Sequence, residues 1–136
     1  MELQVGVKIA IIRDKKVLLL KRASNKYKDI KTDRWDIVGG RINIGTPLLE
    51  NLRREVFEET KMEIMGQPKR IAAQDILKSA DRHVVRLTYS GQANGEPVLD
   101  EEHEEYEWMD TDDLNNLGQS LDAYFKEVID NKIIEF

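Results

Sequence analysis

The sequence of 136 residues contains no cysteine, and that absence removes two classes of site. Neither a disulfide framework nor a thiolate-bound metal can form without cysteine. Histidine is scarce as well, with His83 and His103 as the two examples. A metal centre in this chain therefore has to rely mainly on carboxylate and carbonyl oxygens, which are the ligands that a hard cation such as Mg²⁺ prefers.

Long apolar runs and a leader-like N-terminus are also missing. No run approaches the ~18 apolar residues of a membrane span. The opening MELQVGVKIAII lacks the basic segment and the small-residue cleavage site of a signal peptide. We therefore expect a cytoplasmic protein with no membrane partner. The net charge of −5 argues against a general affinity for nucleic-acid backbones, although a bound cation could still bridge acidic side chains to nucleotide phosphates.

The order of apolar patterns predicts one domain over residues 1–136, with strands, a helix, more strands and a closing helix. Strands are expected at residues 5–12, 16–20, 35–38, 70–77, 83–90 and 106–109. Helical spacing covers residues 46–60 and 121–129, while residues 23–34 and 91–95 are typical of a loop and a turn. This order predicts an α/β (α+β) fold in which helices pack on the faces of a mixed sheet, as in an α/β/α sandwich.

The central helix carries an unusual distribution of charge. Its start is marked by Thr46, which is expected to cap the first turn, and by Pro47, which suits the first helical position. At ~100° per residue, Glu59 falls inside the apolar face of this helix, while Glu55 and Glu58 lie along its border. Carboxylates at these spacings repel one another, and partial burial increases the repulsion. A divalent cation would reverse the sign of that interaction.

The glycines before the helix fit the same hypothesis. Gly39 and Gly40 end a strand, and Gly45 precedes the helix start. Glycine allows the backbone to approach neighbouring groups closely. A main-chain carbonyl could therefore reach a metal ion beside the carboxylates.

The segment GGRINIGTPLLENLRREVFEETKM resembles the Nudix box. The matching positions are Gly40, Arg54, Glu55, Val56, Glu58, Glu59 and Met62. The match departs at Thr46, where the family carries glutamate, and at Lys61, where it carries glycine. Glu50, one turn before Arg54, could take over the arginine pairing of the missing glutamate. Lys61 is expected at a left-handed helix end, at a cost of roughly 1 kcal/mol.

The resemblance implies a metal-binding set of Glu55, Glu58 and Glu59, joined by the carbonyl of Gly39. The ion is expected to be Mg²⁺, with Mn²⁺ as a substitute. Arg54 would hold the carboxylates in place by pairing with Glu50 or Glu58. The acidic run at residues 100–105 could add a further ligand, for which Glu102 is the first choice, and a solvated acidic loop is the alternative. The resemblance leaves open which glutamate is the general base.

Several other residues allow both a functional and a structural interpretation. Arg22, at the end of a strand, could meet a phosphate or could be a surface residue. Trp35 and Tyr27 could stack on a base, although the core interpretation of Trp35 is the favoured one. His83 and His103 are interpreted as structural or surface residues. The aromatic residues of the last helix, Tyr124 and Phe125, are interpreted as packing.

The resemblance implies water attack on phosphorus in a nucleoside diphosphate linked to another moiety. A small MutT-like pyrophosphohydrolase for nucleoside triphosphates, including modified ones, is the leading hypothesis. A hydrolase of nucleotide sugars or dinucleoside polyphosphates is the alternative within enzymes. A Nudix domain that senses a nucleotide without cleaving it belongs to a different class. The sequence leaves a monomer and a homodimer equally open.

Overall fold

The computed structural model describes residues 1–25, 32–134 and 136. The described part contains seven strands and three α-helices. The strands are β1 (Glu2–Arg13), β2 (Lys16–Arg22), β3 (Trp35–Asp36), β4 (Val38–Arg41), β5 (Glu63–Ser79), β6 (Arg82–Asn94) and β7 (His103–Met109). The α-helices are α1 (Leu48–Thr60), which lies between β4 and β5, and α2 (Thr111–Asn116) and α3 (Ala123–Asp130), which follow β7. None of these helices combines the length and the apolar character that a membrane crossing requires.

Strand β1 organises the sheet because it pairs with three other strands. It runs parallel to β6 from Glu2 to Ile11, and antiparallel to β4 from Gly6 to Ile9. Its last residues, Ile12 and Arg13, pair with β2, which in turn carries β3 and β7. Strand β5 is antiparallel to β6 and lies at one end of the strand order. The predicted mixed sheet is therefore confirmed.

Alternate residues of β1 serve two separate hydrophobic cores. Val7, Ile9 and Ile11 belong to the cluster that includes Leu52 and Val56 of α1. Ala10 and Ile12 belong to the cluster that includes residues of α3, Phe125 and Val128. Side chains that alternate along a strand point to opposite faces of the sheet, so α1 and α3 cover opposite faces. Each fully buried aliphatic side chain contributes about 1.5–3 kcal/mol relative to exposure. The prediction of helices on the faces of the sheet is confirmed.

The hairpin of β5 and β6 is longer than the sequence predicted. The turn expected at residues 91–95 is wrong for its first four residues, which belong to β6. Gly91 is a point of close packing, since a Cβ there would lie 3.4 Å from both Ile9 and Pro68. The register shifts between Met65 and Lys69. This irregularity lets the long hairpin continue past residues that otherwise signal a turn.

The predicted cap of α1 is also wrong. Pro47, not Thr46, is the capping residue, and no side chain caps the first turn. The buried amide of Asn51 instead ties the helix to the residues before it, because its Nδ2 donates to the carbonyls of Thr46 (2.7 Å) and Pro47 (2.9 Å). Its Oδ1 accepts a bond of 2.8 Å from the N–H of Asn43. Asn51 thereby fixes the loop between β4 and α1.

The end of α1 agrees with expectation. Lys61 has a φ of 60° and lies in the left-handed region, and its N–H donates to the carbonyl of Phe57 at 2.9 Å. The predicted left-handed position of Lys61 is confirmed.

Candidate active site

A cleft of about 600 Å³ opens on the α3 face of the sheet, near the start of β1. Its floor comes from β1 and β6, and its walls come from β4, from β5 and from the first turn of α3. Positive charge is abundant in its lining, which contains Lys8, Arg22, Arg41, Lys78, Arg82 and Arg86. A concave site with this charge is suited to an anionic small molecule.

The floor contains a buried network of two acids and two bases, which we call the floor network: Lys8, Asp36, Arg86 and Asp122. The guanidinium of Arg86 donates two bonds to Asp36, of 3.1 and 3.0 Å, and lies 3.1 Å from Asp122. The ammonium of Lys8 lies 3.2 Å from the same Asp36. Burial alone would raise the pKa of Asp36, but Arg86 and Lys8 hold it well below its usual range. Burial and the charge of Asp36 raise the pKa of Asp122.

Glu59, a residue of α1, is 8% exposed, and its carboxylate contacts β4. Its Oε1 accepts a bond of 3.0 Å from the N–H of Gly39. Burial raises the pKa of Glu59 to about 8, although Lys8 and the Gly39 N–H both act to lower it. Burial also raises the pKa of Glu55, against the opposing effect of Arg54. The cations near Glu55 and Glu59 are therefore not enough to offset the effect of burial on the pKa of these two carboxyl groups.

Arg54 holds the outer carboxylates of α1. Its Nη1 lies 2.8 Å from Glu55 and 3.4 Å from Glu58, and the second of these is an i, i+4 pair. Its Nη2 donates to Asn51 at 2.9 Å and to the carbonyl of Arg41 at 3.2 Å. The pairing of Arg54 with Glu58 is as expected. Among the contacts found in the described residues, the alternative partner Glu50 does not contact Arg54.

Both glycines of β4 lie close to neighbouring groups, and Gly39 is required there because the atoms that crowd it are backbone. A Cβ on Gly39, which has a φ of 143°, would lie 2.0 Å from the carbonyl oxygen of Val7. A Cβ on Gly40 would lie 2.6 Å from the carboxylate of Glu55. The carbonyl of Gly39 accepts a bond of 3.1 Å from Lys8. The sequence prediction missed Lys8, although a lysine between Val7 and Ile9 in an apolar strand is the available signal.

Two further side chains able to bind a metal lie close to Glu59. Asp100 comes from the loop before β7, and His103 is the first residue of β7. One ligand atom from each of Glu59, Asp100 and His103 lies within 4.8 Å of the others. The Nδ1 of His103 and the Oδ1 of Asp100 are 2.7 Å apart. The interpretation of His103 as a surface residue is wrong, because its side chain is 14% exposed and lines the cleft. Glu102 lines the cleft but is not part of this group.

Of the residues proposed to contact substrate, one lines the cleft and another lies in the hydrophobic core. Arg22 lines the cleft. Trp35 is 8% exposed and belongs to the core on the α3 face, which corresponds to the core alternative. Tyr27 lies outside the described residues. Tyr124, interpreted as packing, lines the cleft, and the ammonium of Lys78 lies 5.4 Å from the centre of its ring.

The donor set of α1 and β4 fits a hard divalent cation. The carboxylates of Glu55, Glu58 and Glu59 and the carbonyl of Gly39 are all oxygen ligands. Burial makes the ionised forms of Glu55 and Glu59 unfavourable in the structure. A cation between them would restore the ionised forms.

A protein-family model matches nearly the whole chain. The NUDIX domain model matches residues 2–129. The chain belongs to the Nudix family. Among solved structures, a MutT Nudix hydrolase from Burkholderia pseudomallei is similar, with 26% identity and a TM-score of 0.80, over 96% of this chain and 98% of that one. The MutT protein from Methanosarcina mazei Go1 has 27% identity and a TM-score of 0.77, over 95% and 91%.

A UDP-X diphosphatase shares the fold at 17% identity, with a TM-score of 0.74 over 98% of this chain and 63% of that one. Among curated proteins, none gives a significant sequence match. Family membership, together with MutT hydrolases among its structural neighbours, identifies this Nudix protein as a hydrolase of phosphoric anhydride bonds with a nucleotide-like substrate.

Proposed function

We propose that this Nudix hydrolase, acting as one domain over residues 1–136, is a Mg²⁺-dependent pyrophosphohydrolase of nucleoside triphosphates or their modified forms. Water would attack one phosphorus of the triphosphate, and the products would be a nucleoside monophosphate and diphosphate. The observation that carries the proposal is the buried carboxylate of Glu59, which lines a cationic cleft, with the half-buried Glu55 one turn before it on α1. MutT hydrolases among the neighbours favour a triphosphate over a nucleotide sugar or a dinucleoside polyphosphate.

Glu55, Glu58, Glu59 and the carbonyl of Gly39 would hold the ion, and Glu102, which lines the cleft, would add a further ligand. When bound, Mg²⁺ supplies charge neutralisation for the phosphates, and Mn²⁺ can replace it in that role. Arg54 keeps Glu55 and Glu58 within reach of the ion through its contacts of 2.8 and 3.4 Å. The proton of the attacking water passes to one of the three α1 carboxylates.

The cations of the cleft would bind the phosphates that the metal does not reach. Arg22, Arg41 and Arg82 line the cleft from β2, β4 and β6. Arginine presents several N–H donors in a plane, which matches the geometry of phosphate oxygens. Tyr124 offers an aromatic face in the same cleft. This distribution suits a single nucleotide with a polyphosphate chain and needs no nucleic-acid partner.

The test is a turnover screen with Mg²⁺ against nucleoside triphosphates, modified nucleotides, nucleotide sugars and dinucleoside polyphosphates. Glu58→Gln is the informative variant, because Glu58 is exposed on α1 and its substitution should leave the fold intact. Glu50→Gln, an exposed glutamate in the first turn of the same helix, is the matched control. We expect Glu58→Gln to lower turnover at least ~100-fold and Glu50→Gln to leave it unchanged.

Equal loss in both variants, or turnover that persists in EDTA, would contradict the proposed site. Preference for nucleotide sugars or dinucleoside polyphosphates would favour the alternative substrate class. Absence of turnover across the panel, combined with a nucleotide-dependent rise in melting temperature, would identify a nucleotide sensor.

A further inference from the structure

The fold brings a histidine to the metal-binding end of the cleft. His103 is the first residue of β7 and pairs with Arg22 at the end of β2. The N–H of Ala23 donates to the carbonyl of Glu102 at 2.8 Å, which ties the segment before β7 to the end of β2. The position of His103 is therefore set by strand pairing, and its side chain is 14% exposed. A strand residue held in this way is well suited to present a ligand.

Glu59, Asp100 and His103 have nearly the spacing of a coordination shell. Their ligand atoms lie within 4.8 Å of one another. Ligands at about 2.1 Å from a metal are about 3–3.5 Å apart when they are adjacent. The 2.7 Å contact between Asp100 and His103 needs to widen by only a few tenths of an ångström to reach that separation.

The donor types in this group differ from those of the α1 set. Imidazole nitrogen is a good ligand for first-row transition ions, whereas Mg²⁺ prefers oxygen and retains water. A site with two carboxylates and one imidazole therefore favours a transition ion over Mg²⁺. Asp100 adds a second carboxylate beside Glu59, since ligand atoms of the two residues lie within 4.8 Å of each other.

We propose that Glu59, Asp100 and His103 form a cation position for a first-row transition dication, represented by Mn²⁺, in which a ring nitrogen of His103 is a direct ligand. This position deepens the proposed function and rests on it, because Glu59 belongs to both sets of ligands. It adds a nitrogen ligand and a preference among ions that the α1 carboxylates do not provide. His103 thereby becomes a determinant of which metal the enzyme uses.

The experiment is pulsed electron paramagnetic resonance on untagged full-length protein with one equivalent of Mn²⁺ and no nucleotide. A directly bound imidazole gives a ¹⁴N coupling to Mn²⁺. His83 provides a matched control, because its Nε2 lies 2.7 Å from Asp75 and so it forms the same kind of histidine–carboxylate pair. We expect the ¹⁴N coupling in the wild type and in His83→Gln, and its absence in His103→Gln.

Metal affinity supplies the second readout. His103→Gln should weaken Mn²⁺ binding at least ~10-fold while changing Mg²⁺ binding by less than about threefold. Asp100→Asn should weaken Mn²⁺ binding and retain the ¹⁴N coupling, which keeps the proposal testable if His103→Gln folds poorly. Absence of the coupling in the wild type, or its persistence in His103→Gln, would overturn the proposal. These measurements need no turnover, so they are independent of whether the triphosphatase assay succeeds.

Discussion

The cleft contains two groups of buried acids that differ in how their charge is balanced. In the floor network, Arg86 lies 3.0 Å from Asp36 and 3.1 Å from Asp122, and all three side chains are no more than 7% exposed. In the α1 group, Glu59 has one backbone N–H as its hydrogen-bond donor. Burial raises the pKa in both groups, but protein cations overcome it at Asp36 and fail to do so at Glu59.

This difference in charge compensation indicates a structural role for the compensated carboxylate of Asp36 and a functional role for the uncompensated carboxylate of Glu59. A network that contains its own cations is complete in the folded chain. A carboxylate that is buried without enough positive charge costs stability, and the cost is offset when a cation binds. Since the α1 group carries the Nudix motif, its electrostatic deficit supports the metal role proposed for it.

The largest expected effect comes from removing the cation of the floor network. Arg86→Met leaves Asp36 and Asp122 buried without their main partner, and should lower the free energy of unfolding by about 3–5 kcal/mol. Arg82→Met, on the same strand but exposed, should change it by no more than about 0.5 kcal/mol. Urea unfolding at pH 7 measures both values. A loss under about 1 kcal/mol for Arg86→Met would show that the network contributes little.

Glu59 and Asp36 should also give opposite slopes of stability against pH. Glu59 has a folded pKa of about 8, above its usual 4.5, so the folded state binds more protons between these values. Stability of the metal-free protein should therefore fall as pH rises from about 5 to 8, by at most about 1.4 kcal/mol per pH unit. The lowered pKa of Asp36 acts in the other direction, because its contribution is present above its usual pKa of 3.8 and is lost as pH falls below it.

Urea midpoints between pH 5 and 8.5 in EDTA measure the slope due to Glu59. Glu59→Gln should flatten it, and saturating Mg²⁺ should flatten it in the wild type. A slope that is unchanged in Glu59→Gln would mean that another group is responsible.

The smallest expected change in the free energy of unfolding comes from Lys61, which lies outside both the floor network and the α1 carboxylates. Lys61→Gly removes a side chain from a left-handed position and should raise the free energy of unfolding by up to about 1 kcal/mol. The gain is reduced by loss of the contact between Lys61 and the ring of Phe57, 5.0 Å away. Lys61→Ala retains the Cβ and should give no such gain. If both variants have the same thermal stability, backbone strain at Lys61 is negligible.

Local patterns were sufficient to place Glu59 on the apolar face of α1 and to indicate the close approach at Gly39. The helical period places Glu59 on the apolar face, and the glycines before the helix indicate a close approach, and both features are contained in neighbouring residues. The floor network joins Asp36 to Arg86, which are 50 positions apart. Their contact depends on the pairing of β1, β2, β3 and β6. No local pattern encodes that register, so Arg86 and Asp122 were missed.

The start of α1 shows a different reason for failure. Thr46 has the side chain of a good cap, but the capping position falls on Pro47, and the amide of Asn51 donates to the carbonyls of Thr46 and Pro47 from inside the helix. Similarly, His103 has no local signal that separates a surface residue from one that lines a cleft. Its position depends on the pairing of β7 with β2.

The central position of β1 determines how the enzyme responds to heating. Lys8 is the backbone partner of Gly39 on one side and of Thr88 on the other, so a slip of one residue would turn its ammonium to the opposite face of the sheet. The cleft floor and the β4 carbonyl consequently share one cooperative unit with the hydrophobic cores. Thermal inactivation should thus coincide with global melting rather than precede it, because the described residues of the cleft floor lie on the strands that also carry the hydrophobic cores.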